Sequence, residues 1–342
     1  MRTEILWGDE EKAKFEHGMM REIDFFNFMF PVDFIQLMVD CTNGNLVAQN
    51  LALTSVGEMY RMLGVKLAMA LEGRPGLNVD FWGVQQDAST IYRPHKYGER
   101  FGMSKTRFDH LLMCWALDHS TAHLGGQGLG GILTLLNVFN RRREGCMRPG
   151  NLLCINESYT SWSGWPRSEA PTWLFPTYST WSRLDVQRHS QLKSCVDANT
   201  GIVLRLEFAE SEHVLSQKAA AQHCSAPTGL VLRLTEPWHK KEGRIVAVNR
   251  GMASVECLKA CEQVGLKFIG SIKQNNLGYP KSHFDKFEAE TSKEMSRGAM
   301  KVLTSPYRLP NEPEDRLHFR QNFRVLPPHT LHLSCQSFCT WS

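Results

Sequence analysis

Gly150–Ser158, GNLLCINES, and Arg244–Ser254, RIVAVNRGMAS, decide how the chain is read. Each contains a short run of apolar and β-branched residues bounded by Gly or polar residues, which predicts a strand. Each run ends on one asparagine, Asn156 or Asn249. Paired carboxylates at strand ends can clamp two divalent metals across a phosphate, and here both places hold neutral amides.

Working outward, Leu192–Val196 and Ile202–Phe208 are predicted strands joined by DANTG, residues 197–201. The Asp, Asn and Gly chemistry of that joint predicts a hairpin turn, so Asp197 reads as a turn former and not as a metal ligand. After the second key stretch, Met252–Gly265 is expected to be a helix with Val255, Leu258, Cys261 and Val264 on one side and Gly265 as its C-cap. Cys257 and Cys261 read as buried structural thiols on that helix. Phe268–Ile272 supplies a fifth strand.

Upstream the period is helical. Residues 1–24 read as a surface segment or a first helix. Pro31 suits the first turn of a helix running to about Cys41, with Asn43-Gly44 as its stop. Ser55 opens a second helix, with Glu58 as capping-box partner and Met59, Leu63, Leu67 and Leu71 as its core stripe. Ser104 opens a third, carrying Phe108, Leu111, Leu112 and Trp115. A further apolar helix over Gly131–Asn140 ends in Arg141-Arg142-Arg143, where cations complement the helix dipole or meet phosphate. Pro149-Gly150 then marks the change to strand periodicity.

Composition narrows the class. Of 342 residues, 42% are hydrophobic and 22% charged, the mix of a globular chain able to bury a core. The net charge is +4, with 16 Lys and Arg against 17 Asp and Glu over residues 1–150 and 23 against 18 in the remainder. That balance permits a nucleic-acid partner without arguing for one. Ten cysteines without paired spacing do not read as a disulfide framework, so a reducing, intracellular setting is expected. Neither a secretory leader nor a membrane span is read, since the most apolar window, Phe25–Val39, is short and broken by Asn27, Pro31, Asp33 and Gln36. Gly126, Gly128 and Gly131 fit a GxGxxG count, but no strand precedes them. His119 and His123 lack a third ligand and read as surface or loop residues. Trp162, Trp165, Trp173 and Trp181, interleaved with Arg167, Arg183 and Arg188, either pack a long loop on the core or stack on bases.

A helical region, then strand, hairpin, strand, helix and strand is the order of an all-α N-terminal domain followed by an RNase H-like mixed-sheet core, hence an α+β chain. The segments carrying it are FFNFMFPVDFIQLMVDCTN (25–43), MSKTRFDHLL (103–112), RPGNLLCINES (148–158), DANTGIVLRLE (197–207), LTEPW (234–238), RIVAVNRGMASVECL (244–258) and GLKFIGSIKQNNLGYP (265–280). Together, in order and spacing, they resemble piggyBac-type transposases and the host proteins derived from them. The resemblance implies a helical N-terminal domain over 1–149, a DDE transposase-type core over 150–285, incomplete here, and a divergent, poorly structured tail over 286–342. It also implies a nuclear DNA-handling protein, possible homodimers, and, in active members, Mg²⁺ held by three aspartates.

The sequence departs from that pattern at the site. The family's first aspartate falls on Asn156 and its second on Asn249, and no segment suited to the third occurs between Pro280 and Ser342. A neutral amide does not supply the charge a hard cation needs. Glu157, adjacent on the strand, should face away from Asn156. The expectation is therefore a transposase-derived protein with no catalytic residues, no metal and no cofactor of its own, with DNA as its possible partner. Arg141, Arg142, Arg143, Arg167, Arg183 and Arg188 are the candidate DNA contacts. The alternatives are an interaction protein or decayed copy, and a residual nuclease using an acid such as Asp285 or Asp315. His329, His332, Cys335 and Cys339 lack the pairing of a zinc module.

Overall fold

The computed structural model describes residues 2–30, 32–72, 81–83, 96–117, 130–161, 178–179, 189–209, 215–220, 223–240, 243–273, 275, 301–307, 319–325 and 337–340. The chain opens with β1 (Glu4–Ile5) and α1 (Asp9–Glu16), followed by α2 (Glu22–Met29), α3 (Val32–Ala48), α4 (Val56–Glu72), α5 (Tyr97–Phe101), α6 (Lys105–Cys114) and α7 (Gly130–Cys146). Strands β2 (Met147–Arg148), β3 (Leu152–Ser161), β4 (Tyr178–Ser179), β5 (His189–Asp197) and β6 (Val203–Phe208) come next. Helix α8 (Ala226–Thr235), β7 (Ile245–Val248), α9 (Val255–Gln263), β8 (Lys267–Ile272), β9 (Lys301–Tyr307), β10 (Phe319–Val325) and β11 (Ser337–Thr340) complete the described order. Two compact units result, His17–Arg142 and Met1–Glu16 with Arg143–Ser342.

The helical unit is built on α3, α4 and α6. Ile35, Met38 and Leu46 of α3 bury against Met59, Met62 and Val65 of α4 and Phe108 and Leu111 of α6. Helix α3 runs past Asn43-Gly44, the stop expected from sequence. Asn43 instead anchors the start of the next segment, its Nδ2 donating to the Thr54 carbonyl at 3.1 Å and its Oδ1 accepting the Thr54 N–H at 2.7 Å. The stop comes at Asn50, with φ of +52°. There Leu51 N–H donates to the Leu46 carbonyl at 2.9 Å and Asn50 N–H to that of Val47 at 3.0 Å, a Schellman closure.

Ser55 starts α4 as expected, its hydroxyl accepting the Glu58 N–H at 3.3 Å. The Glu58 carboxylate does not close a capping box. It accepts from Arg107 at 2.7 and 2.9 Å and from the Thr54 hydroxyl at 2.7 Å. The predicted stripe also rotates: Met59 is buried, but Leu67 is 54% and Leu71 87% exposed, and the buried line is Met59, Met62 and Val65. Ser104 caps α6, accepting the Arg107 N–H at 3.2 Å, with Phe108 and Leu111 buried as predicted.

In the other unit, residues of the extreme N-terminus join the sheet region and not the helices. β1 pairs antiparallel with β2, and Glu4 meets Arg148 at 3.0 Å. The central strands lie in the order β6-β5-β3-β7-β8. β5 is antiparallel to β3 and β6, whereas β7 is parallel to β3 and β8 to β7. Counted within those five strands this is 3-2-1-4-5, the mixed sheet of an RNase H-like core. In the tail, where no regular structure is legible from sequence, β11, β10 and β9 extend the sheet antiparallel from β8.

One face of the sheet carries helices. Leu153 and Ile155 of β3, Val246 and Val248 of β7 and Phe268 of β8 are buried and in register. Helix α8 packs on β5 and β6, α9 on β8, and the two helices on each other. Helix α9 begins at Ser254, which accepts the Cys257 N–H at 2.9 Å, and ends on Gly265 at φ +81°. Leu266 and Gly265 N–H groups close it by donating to the Cys261 and Glu262 carbonyls, both at 2.9 Å. Cys257 and Cys261 are buried free thiols, as predicted.

Candidate functional site at the strand ends

The parallel pairing of β3 with β7 runs from Leu152 opposite Ile245 to Ile155 opposite Val248. One residue beyond that pairing lie Asn156, in the middle of β3, which runs on to Ser161 and does not end at the asparagine as expected from sequence, and Asn249, just past the end of β7, on neighbouring strands about 4.8 Å apart by sheet geometry. Alternation sets both on the face opposite the buried Leu153–Ile155–Val246–Val248 row, and Glu157 on the helix-covered face.

Both amides are oriented by backbone N–H groups. Asn156 Oδ1 accepts the Glu157 N–H at 2.8 Å. Asn249 Oδ1 accepts the N–H groups of Gly251 at 2.9 Å and Met252 at 3.3 Å, and its carbonyl accepts those of Met252 and Ala253 at 3.1 and 3.0 Å. This is an Asx-type turn that leads the chain off β7 toward α9. A two-metal site needs ionised oxygens facing the ions. The two oxygens here are neutral and engaged with backbone donors, so the residues present do not fit such a pair of cations. Among the described residues, no group of three or more His, Cys, Asp or Glu is placed to hold a metal.

On the helix-covered face the sheet carries an in-register row of charges that sequence reasoning missed. Glu157 on β3 is opposite Lys193 on β5, which is opposite Glu207 on β6. Lys193 ion-pairs with Glu157, and Arg233 of α8 grips Glu207 with two bonds at 2.7 and 2.9 Å. Lys218 adds a contact to Glu207 at 3.3 Å. This row walls a cavity of about 270 Å³ whose remaining lining includes Phe208, Pro227, Leu230 and Met252. The signal in the sequence was the parity of Lys193 and Glu207, charged residues at inward positions of apolar strands.

Asp197 is the buried turn former that its neighbours predicted. It is 0% exposed and accepts from the Thr3 hydroxyl at 2.6 Å, Gly150 N–H at 3.0 Å, and the Thr200 N–H and hydroxyl at 3.1 and 2.7 Å. Burial pushes its carboxyl up, but the bonds from Thr3, Thr200 and Gly150 outweigh that and hold it below the usual carboxylate range. A Cβ at Gly150 would lie 3.2 Å from Asp197 Oδ1 and 2.5 Å from Asn199 Nδ2, so a side chain here would displace the Asn199 amide and crowd the Asp197 carboxylate. The Gly150 carbonyl accepts from Arg244 Nε at 3.1 Å, on the other side of the same peptide segment.

The candidate DNA contacts separate. Arg141 is exposed. Arg142 lies 5.4 Å over the Phe28 ring and donates to the Phe28 carbonyl at 2.8 Å. Arg143 is half-buried, with its guanidinium 3.8 Å from the Met147 sulfur, and burial lowers its pKa. Arg167, Arg183 and Arg188 lie outside the described residues, as do the four tryptophans among them, His119, His123, Gly126, Gly128, Asp285 and Asp315. His329, His332 and Cys335 also lie outside them, and only the backbone of Cys339 is described. No helix among the described residues is long and apolar enough to cross a membrane.

Comparison with known proteins agrees with this architecture. A solved piggyBac transposase, determined as a synaptic complex with hairpin DNA, matches with a TM-score of 0.67 at 15% identity, over 92% of this chain and 59% of that one. The chain thus spans 59% of the length of that transposase, and the likeness shows a shared fold. No curated protein matches the sequence. The family model described as Transposase IS4 matches residues 21–309. With that match over most of its length and a piggyBac-type fold, the chain belongs to the transposase IS4 family.

Proposed function

We propose that this chain is a transposase-derived protein that binds DNA without cutting it. The observation that carries the reading is the pair Asn156 and Asn249, side by side on adjacent strands where a two-metal hydrolase needs carboxylates. Replacing two anionic oxygens by amides removes the charge that would hold divalent cations, lower the pKa of an attacking water and stabilise the leaving oxygen. Binding is proposed to persist because the fold shared with a transposase solved on hairpin DNA is kept, and exposed Arg141 is the leading contact among the described candidates. Nuclear residence and self-association belong to the same proposal.

The test is fluorescence anisotropy of the purified chain on duplex DNA across a salt series without metal, beside a cleavage assay with Mg²⁺ and Mn²⁺. The expected result is a steep loss of log affinity with log salt, the mark of released counterions, and no strand scission. Metal-dependent scission would overturn the inactive reading and turn attention to Asp285 and Asp315. No binding at low salt by a folded chain would overturn the DNA-binding half and favour a protein-interaction role.

A further inference from the structure

The two amides leave this place in the sheet without negative charge of their own. Asparagine O and N ends are told apart by their partners, and at both positions the partners are N–H donors: Glu157 for Asn156, Gly251 and Met252 for Asn249. With each oxygen engaged by backbone, the Nδ2 groups, each with two protons to give, are the ends left to a ligand, at neighbouring positions on one face of the sheet. Two basic residues follow on neighbouring strands. Arg250 is exposed immediately after Asn249, and Lys273 is exposed one residue past the end of β8. Among the described residues, the nearest acids in sequence are engaged elsewhere, Glu157 with Lys193 and Glu256 with Ser225 and Thr228.

We propose that the middle of β3 and the adjoining end of β7 form a metal-independent phosphate site, with the Asn156 and Asn249 amides as donors and Arg250 and Lys273 as its positive rim. Its ligand is the phosphodiester backbone of DNA, bound directly by N–H groups where an active relative's carboxylates would require an intervening cation. This deepens the non-cutting, DNA-binding reading: the loss of both acids removes repulsion toward phosphate as well as metal affinity. Neutral amide donors and guanidinium or ammonium groups are ordinary phosphate partners.

The experiment follows the side-chain amide NMR signals of selectively labelled asparagine in the full chain, assigned with Asn156→Asp and Asn249→Asp. Inorganic phosphate, a short duplex and Mg²⁺ are titrated separately, with duplex affinity measured in parallel by anisotropy. Phosphate and duplex should each move both signals, and Mg²⁺ should leave them in place. The Asn156→Asp/Asn249→Asp double variant keeps the oxygens that hold the turns, so it should fold, and it should bind duplex without metal at least about tenfold more weakly. Movement with phosphate but not duplex would overturn the DNA assignment and leave a site for free phosphate. Duplex binding with unmoved amide signals and an unweakened double variant would overturn the site while the DNA-binding reading stands. Absence of any duplex binding would overturn that reading, and unmoved signals with phosphate would overturn the site as well.

Discussion

Asp197 and the pair Asn156 and Asn249 lie in one sheet and have taken opposite chemical paths. Asp197 is a carboxylate out of contact with solvent, with four donors converging on it from three residues. Asn156 and Asn249 are amides on adjacent strands with one and two backbone donors. The difference teaches what keeps a charge in place here. At Asp197 the charge organises structure, because it ties the N-terminal segment, the entry to β3 and the β5–β6 turn to one point. At Asn156 and Asn249 the neighbouring backbone N–H groups need only an oxygen, which an amide supplies as well as an acid does.

The largest predicted effect follows from exchanging the two chemistries. In Asp197→Asn, one terminal atom becomes an NH₂ group that cannot accept. Either Gly150 N–H or the Thr3 and Thr200 donors then lose their partner, and a buried group is left unsatisfied. The expected destabilisation is about 3 kcal/mol, read as a fall in the urea midpoint of the full chain. A loss below about 1 kcal/mol would mean that the turn stands without its charge.

The same carboxylate gives a pH signature. Its folded pKa is lowered, so its stabilisation is full above the unfolded carboxylate's value, about 3.9, and is lost as the pH falls through the lower folded value. Thermal midpoints followed downward from pH 5 should fall, and Asp197→Asn should show a shallower fall over the same range. Parallel curves would assign the acid lability to other groups. A smaller effect is expected for Thr3→Ala, which removes one bond to Asp197 and leaves the rest: about 1 kcal/mol, by the same urea measurement.

What the sequence disclosed, and what it hid, divides along the range of the forces involved. The five central strands, the turn at Asp197 and the Gly265 stop of α9 were legible because alternation, turn chemistry and capping act over a few residues, whereas α9 starts at Ser254 and not at the expected Met252. The stop of α3 was misplaced because Asn43-Gly44 and Asn50 are both plausible punctuators, and only the tertiary bonds of Asn43 to Thr54 free the helix to continue. The α4 stripe was rotated because Leu67 and Leu71 match the period as well as Met62 and Val65 do, and burial is decided by α3 and α6. Helix α8 was missed although Pro227 in its first turn and Leu230 and Leu234 on one side marked it. The β1–β2 pairing joins residues 144 positions apart through strands of two residues each, too short for any period. At the site, both asparagines were visible from the sequence, and the Glu157–Lys193–Glu207–Arg233 row was not, since it exists only once β5 and β6 are in register.

The smallest predicted stability change is the one that tests the contrast most directly. Asn156→Asp and Asn249→Asp keep an oxygen for Glu157, Gly251 and Met252 N–H, and both positions reach solvent, Asn156 as an exposed residue and Asn249 in part. Each new carboxylate accepts the same backbone donors, so each single substitution should change stability by no more than about 0.5 kcal/mol. The swap that is costly at Asp197 in one direction should thus be nearly silent here in the other. Neither single variant nor the pair should gain Mg²⁺-dependent DNA cleavage, because two acids without a third still leave the metals underheld. A large gain in cleavage by the pair would show that a third acid exists outside the described residues and that the amides alone had silenced the site. A large loss of stability would show instead that Asn156 and Asn249, like Asp197, are selected for structure, and the contrast between the two places would dissolve.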